Sequence, residues 1–597
     1  MVQFIPIVLW YINSMVNTIT PYLSSVIVRM VSYRDLFPER RFYKIKDLLS
    51  GLSRIEMLHL VSNMYEKLSS KLFFDPKYDG NDAHMDVIRF CLSHHNNEYI
   101  QEVLTRFWEF KKGQNAFISY FCGISNVGVV YLLREIMSMT DNRTPKSRKR
   151  LEKDVFRALL QTNYYNYEHG TINGKLAYSD NKELFCGLMM ISRFRQNEIE
   201  DARKDTISRE YVRQVVKCMA FFEFAAKDEI FAKLMPTFLD DYGIVKWEQY
   251  PLAFLSVLAL TDFKEGIVNF DNLQTDTQEC CRKAIDRVSV SYDKLIPKKD
   301  NPDYKFFRDR PMIKVSEKEY FISNVGFTIG KIYDSLYFQF LDYYIKGGGN
   351  SKRFLQHFTT VFSEGQLLSQ TLKNICGSQY EVILDDPACT SINSKVSSPP
   401  DFYIRLGNVV ILFELKDIKM KAWTREYGNV EDYASFFYEH LVDDGKRKIG
   451  VGQLLRQIKR IKTNNFVWDK NCPQDSRIYP VVVLADYRQT ASGLKNLLDI
   501  WMRGEAAKEQ IPLDDVGPVI LMDLATLMVY AENFRKDGFP VYFDDYYSRS
   551  VFNGVTGDDA LTNATMSFSD YINHQQCYGM KNWAEVFMAC LKKANVQ

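Results

Sequence analysis

A chain of 597 residues is too long for one ordinary core and implies roughly two to four domains. With 46% hydrophobic and 25% charged residues, and many Phe and Tyr, its composition excludes a largely disordered chain. A net charge of only +2 excludes a global basic field, so any contact with a phosphate backbone must come from a local patch.

Residues 1–28 carry no charged side chain, but Gln3, Pro6, Asn13 and Pro21 interrupt the apolar run. No basic stretch precedes it and no apolar block long enough to span a bilayer follows, so it reads as a buried or partner-facing helix pair and not as a membrane anchor. The cytoplasm is the default location. From there to about residue 300 the chain reads as mainly helical. Segments 154–164, 209–226 and 230–239 repeat apolar residues at three- and four-residue spacing. The run Arg143, Lys146, Arg148, Lys149, Arg150 and Lys153 reads as an exposed loop entering a helix, either a solvated charge run or a phosphate-contacting patch. The doublet His94-His95 has no further ligand-type residue repeating with it, which points to solvent or packing roles. The 11 cysteines are scattered without a C-x-x-C pair and read as buried free thiols.

Between residues 304 and 344 the pattern changes. Segments 311–315 and 319–323 predict a hairpin, and an aromatic helix follows through Tyr333, Tyr337 and Phe340. Gly347-Gly348-Gly349-Asn350 then breaks the chain. Beyond it the elements alternate: helix 352–376, strands near 380–384, 401–405 and 409–415, helix 451–462, strand 480–485, helix 492–502, and strand 518–522 leading into a helix. Short apolar strands separated by helices predict an α/β layered sheet.

The chemistry concentrates in Pro400-Asp401-Phe402-Tyr403-Ile404, a short turn, and Val409-Val410-Ile411-Leu412-Phe413-Glu414-Leu415-Lys416. Side chains alternate along a strand, so Glu414 and Lys416 emerge on one face. A carboxylate and an ammonium at the end of an otherwise buried strand cost desolvation unless they pair or hold a metal. If the two strands are antiparallel neighbours joined through Gly407-Asn408, Asp401 meets Glu414 at one sheet end.

Pro400-Asp401 with Glu414-x-Lys416 resembles the PD-(D/E)xK nuclease superfamily, which includes restriction endonucleases and RecB-like exonucleases; the likeness extends loosely over residues 350–535. It implies a restriction-endonuclease-like α/β/α sandwich with a mixed sheet. It also implies that Asp401 and Glu414 ligate Mg²⁺ (or Mn²⁺), joined by Glu364 from the preceding helix, and that Lys416 orients or helps deprotonate the attacking water. Gln453, on the helix after the strands, occupies the place where RecB-like members carry a Gln beside the site. Gln457, one turn on, reads as a packing or backbone-contacting residue.

Nearby, residues 441–470 hold eight Lys or Arg against three Asp. Lys446, Arg447, Lys448, Arg456, Lys459 and Arg460 are therefore the candidate contacts to a nucleic-acid backbone, against the alternative of a solvated helix face. No phosphate-binding G-x-x-x-x-G-K-[ST] loop occurs, so no motor is evident.

These readings predict a mainly helical region over 1–300 that binds substrate or a partner, a hairpin-and-helix connector over 301–350, and a nuclease domain over 351–597. The predicted activity is Mg²⁺-dependent phosphodiester hydrolysis of nucleic acid, DNA favoured, without a membrane. Analogy suggests antiphage defence or a mobile element. The competing readings are a nuclease acting on RNA and a non-catalytic scaffold that binds nucleic acid or a partner protein; a homo-oligomer is compatible with each.

Overall fold

The computed structural model of the chain describes residues 28–74, 80–112, 120–141, 147–169, 182–191, 204–251, 253–254, 261–262, 267–269, 275–296, 304–317, 319–550, 563–574, 585–586 and 588–589. All but Val28 of the uncharged segment 1–28 lies outside them, as do Arg143 and Lys146 of the basic run. No helix among the described residues is long and apolar enough to cross a membrane.

The first half is helical, as its periodicity predicts. Helices α1 (Arg54–Phe74), α2 (Gly80–Cys91), α3 (Asn97–Lys112), α4 (Asn126–Met137) and α5 (Arg148–His169) surround one core containing Leu58, Ile88, Phe107, Leu133, Phe156 and Leu160. The sequence reading missed a parallel pair, β1 (Val28–Met30) and β2 (Tyr120–Cys122). Strands of three residues are too short to show alternation. His94 Nδ1 lies 2.6 Å from the buried Glu152 carboxylate of α5, and His95 Nε2 lies 2.9 Å from the Lys149 carbonyl. The doublet thus joins a loop to a helix.

Two further helices, α6 (Lys182–Ile191) and α7 (Lys204–Ala225), lead to a second sheet. It is formed by β3 (Thr261–Asp262), β4 (Ile267–Asn269), β5 (Ser289–Ser291), β6 (Met312–Lys314) and β7 (Glu319–Ile322), ordered β3-β4-β7-β6-β5. The predicted hairpin is β6–β7, antiparallel with Ile313 opposite Phe321. Its alternation serves two cores at once. Ile313 and Phe321 enter the helical core, whereas Met312, Tyr320 and Ile322 enter a second one.

That second core extends to the motif-bearing sheet. After α8 (Leu336–Lys346) comes a long helix, α9, over 351–376, whose middle turns, Phe358–Ser369, are π-helical. Then follow β8 (Val382–Asp385), α10 (Asp386–Ile392), β9 (Phe402–Leu406) and β10 (Val409–Lys416). Helices α11 (Ala422–Tyr427), α12 (Val430–Leu441) and α13 (Val451–Lys462) precede β11 (Arg477–Leu484), and α14 (Leu494–Lys508) precedes β12 (Ile520–Asp523) and α15 (Leu524–Val529). The strand order is β12-β11-β10-β9-β8: β8, β9 and β10 are antiparallel, and β11 and β12 join β10 in parallel.

Alternation covers both faces of this sheet. Ile411, Phe413 and Leu415 pack into the aromatic core shared with α7, where Phe221 meets Phe340 and Phe362 with ring centroids 5.0 and 5.3 Å apart. Val410 and Leu412 face the opposite core, built from α12, α13 and α14 together with Leu188 and Ile191 of α6. Much of the chain's excess of Phe and Tyr is therefore spent in packing. Helices from the first half cover both faces of the motif sheet.

Candidate active site

Asp401 sits one residue before β9 and Glu414 one residue beyond the last β9–β10 pair, Phe402 opposite Phe413. The hairpin turn at Gly407, φ +57°, fixes that register by pairing Leu406 with Val409. The two carboxylates are thereby brought to one end of the sheet, as the sequence predicts. Asp401 Oδ2 accepts from the Leu415 amide at 2.8 Å, which ties the start of β9 to the end of β10. Glu414 is 1% exposed, and Lys416 Nζ donates to its Oε1 at 2.5 Å.

Glu364 joins them from the π-helical part of α9, where the widened turn is an uncommon backbone state often found at functional sites. Burial, then the Asp401 charge, push its carboxyl up to about 7. Burial, then Asp401, push Glu414 up to about 8 despite the Lys416 ammonium. Asp401 is also raised, first by burial, with Lys416 and the Leu415 amide opposing. Lys416 stays cationic, because Glu414 and Asp401 outweigh the burial that would discharge it. Three carboxylates against one ammonium leave two negative charges when all are ionised, so the site favours taking up protons or a cation. The charges of two further carboxylates are felt here: Asp386, at the start of α10, by Asp401 and Glu364, and Asp417 by Glu364. Sequence reasoning missed Asp386, because only the pairing of β8 with β9 brings it near.

Among the described residues, no three carboxylate, His or Cys groups converge as they would around a bound ion. Glu414 is engaged by Lys416, and Asp401 by a backbone amide. The donor set fits a hard divalent cation in kind, being carboxylate oxygens, half-buried or buried, with unbalanced negative charge. Asp401, Glu414 and Glu364 are the residues that would hold it.

The helix-borne glutamines divide differently. Gln453 Oε1 accepts from the Gly450 amide at 3.0 Å, closing the start of α13, and no hydrogen bond joins Gln453 to the carboxylates among the described residues. Gly450 itself has φ +51°, and a Cβ there would stand 2.6 Å from the Leu441 carbonyl oxygen, so glycine is required. Gln457 is the residue that reaches toward the motif. Its Nε2 donates to the Ser398 carbonyl at 2.8 Å, three residues before Asp401, and Arg460 donates to the Ser397 and Ser398 carbonyls at 3.0 Å each. Ser398 has φ +57°, so this pair clamps a left-handed turn that aims Pro400-Asp401 at the sheet end.

The predicted basic patch is largely neutralised. Lys448 pairs with Asp443 and Glu505, Arg447 with Asp444, and Lys459 with Glu509, while Arg460 serves the turn just described. Lys446 and Arg456 have no ion-pair partner among the described residues. Glu505 of α14 and Glu509, just past its end, lie beyond the 441–470 window in which the charge was counted, so part of the sequence excess is paired off on folding.

Beyond β10 a second set of charges packs where α7 meets the ends of β11 and β12. Arg213, 2% exposed, lies 3.4 Å over the Tyr487 ring, 3.7 Å from Glu210 and 3.9 Å from Asp523. Lys217 donates to the Ala485 carbonyl at 3.2 Å and stands 3.7 Å from Asp334, which also pairs with Arg488. Arg425 and Arg488 flank Asp486 at 3.5 and 3.3 Å.

No family model, curated protein or solved structure matches this chain.

Proposed function

We propose that the chain is a metal-dependent nuclease of the PD-(D/E)xK type, hydrolysing phosphodiester bonds of nucleic acid, with DNA favoured. The observation that supports this best is the meeting of Asp401, Glu414, Lys416 and Glu364 at one end of the mixed sheet, Glu414 buried, the others half-buried, and negative charge in excess. A strand-end ion pair serving structure alone has no need of two further carboxylates beside it. Asp401, Glu414 and Glu364 hold Mg²⁺ or Mn²⁺, which when bound polarises the phosphate and lowers the pKa of water. Lys416, held protonated, orients the attacking water and offsets charge on the phosphate oxygens, acting as a donor and not as a base. A role in antiphage defence or a mobile element is in keeping with this activity.

The test is incubation of the purified chain with supercoiled and linear duplex DNA, single-stranded DNA and RNA, each with Mg²⁺, Mn²⁺ or EDTA. Cleavage with either metal and none in EDTA is expected, and the preferred substrate separates a DNase from an RNase. Intact substrates throughout would overturn the reading and leave the non-catalytic scaffold.

Cation binding also carries a pH signature. Glu364 and Glu414 have folded pKa values raised to about 7 and about 8, so their contribution to stability is full below the ordinary carboxylate range and is lost as pH rises through those values. A bound divalent cation offsets that loss. The rise in melting temperature on adding Mg²⁺ is therefore expected to be small at pH 5.5 and to grow through pH 8.5, at constant ionic strength. A Mg²⁺ effect independent of pH would show that these carboxylates do not hold the ion.

A further inference from the structure

Just past Lys416 the chain leaves the sheet, and burial keeps alternating as far as Lys421, where α11 begins. Ile418 and Met420 are buried, whereas Lys419, Lys421 and, in the first turn of α11, Trp423 are exposed. Lys421 has no ion-pair partner among the described residues. Lys419 pairs with Asp417 at 2.7 Å, whose charge reaches Glu364, and its ammonium lies 5.6 Å from the Tyr337 ring of α8. Next to Tyr337, with ring centroids 5.0 Å apart, stands Phe338. Phe338 at 60% and Trp423 at 56% are the two most exposed aromatic side chains among the described residues. Both therefore lie along the segment that emerges from the candidate active site. An exposed indole or phenyl gains nothing from water, and Lys421 beside Trp423 adds a cation without a counter-charge.

We infer that Lys419, Lys421 and Trp423, flanked by Phe338, form a track that binds single-stranded nucleic acid and leads it to the carboxylates. The track rests on the nuclease reading and deepens it by naming the substrate form. Lys421, which has no counter-charge, contacts phosphate, Lys419 stays with Asp417, and the aromatic rings stack on bases. In a duplex the base faces are already occupied by neighbouring bases, so rings offered this way select unpaired nucleotides or a frayed end. Five residues of extended chain separate Lys416 from Lys421, which places Lys421 within about 17 Å of the site. The track thus takes the backbone-binding role that the sequence assigns to the cations near α13, most of which are paired.

The test is fluorescence anisotropy of the full chain with labelled oligo-dT, oligo-U and a duplex, in EDTA so that nothing is cut. Trp423→Ala is expected to weaken single-strand binding by roughly five- to a hundred-fold, Trp423→Phe to retain most of it, and duplex binding to change little. Lys421→Ala should lower the slope of log affinity against log salt by about 0.7. Circular dichroism checks that each variant is folded. Single-strand affinity and salt slope unchanged in both Ala variants, or a wild-type chain that binds no single strand, would overturn the track. So would equal weakening for duplex and single strand. A chain that cleaves, with binding unaltered by these substitutions, loses the track and keeps the nuclease reading. A chain that never cleaves but loses single-strand binding in Trp423→Ala keeps the track and loses the nuclease reading.

Discussion

Asp401→Asn is expected to lower metal-dependent cleavage by at least about a hundred-fold while the protein stays folded, and Lys416→Ala to do the same for a different reason. The Asn side chain retains an oxygen that accepts from the Leu415 amide, so the tie between β9 and β10 survives and only the charge is lost. That charge also raises Glu364 and Glu414, so its removal relieves repulsion. The unfolding midpoint of Asp401→Asn in EDTA should therefore equal or exceed that of the wild type, and its gain on adding Mg²⁺ should shrink. Lys416→Ala leaves Glu414 buried without its ammonium; the carboxyl responds by keeping its proton to a higher pH, which spares the fold but removes the donor to the phosphate. Cleavage rates and urea midpoints measured on the same preparations separate the two roles. A wild-type rate in Asp401→Asn would remove Asp401 from the chemistry.

Arg213→Ala is expected to be the most damaging single change outside the candidate site. The guanidinium lies over Tyr487 and between Glu210 and Asp523, and Asp523 also caps α15 by accepting from the Thr526 amide at 3.1 Å. Truncation leaves those carboxylates buried beside a void, and breaking such a pair costs about 3–5 kcal/mol. For a chain of 597 residues unfolding as one unit, at about 2.1 cal/mol/K per residue, that is a fall of about 2–4 °C in melting temperature. Because Arg213 belongs to α7, whereas Asp523 ends β12 and Tyr487 follows β11, the loss should appear first where the helical half meets the motif sheet. Limited proteolysis of the variant should then be faster than that of the wild type. A fall below about 1 °C would mean that the network is solvated, since exposed pairs contribute only about 0–1 kcal/mol.

The motif sheet is legible because its strands are buried on both faces and read as apolar runs of strand length, as in 409–413 of β10. Gly407-Asn408 marks the turn, and the turn sets the register that joins Asp401 to Glu414. The hairpin at β6–β7 is legible for the same reason, but its place in a five-stranded sheet between two cores is not. Its partners β3, β4 and β5 are two or three residues long and depend on pairing partners far away in sequence.

The amino-acid sequence by itself determined the local chemistry: which strands are apolar, where they turn, and that a carboxylate, an ammonium and a second carboxylate share one sheet end. These follow from alternation and turn preference, which act over a few residues. Tertiary structure alone decided which charges stay free. Glu505 of α14 and Glu509 just past its end silence Lys448 and Lys459 from about fifty residues away, Gln457 and not Gln453 braces the turn before Asp401, and Arg213 fastens α7 to the far ends of the parallel strands. Charge acts through space and not along the chain, so a count within one segment misses the partners that folding brings in.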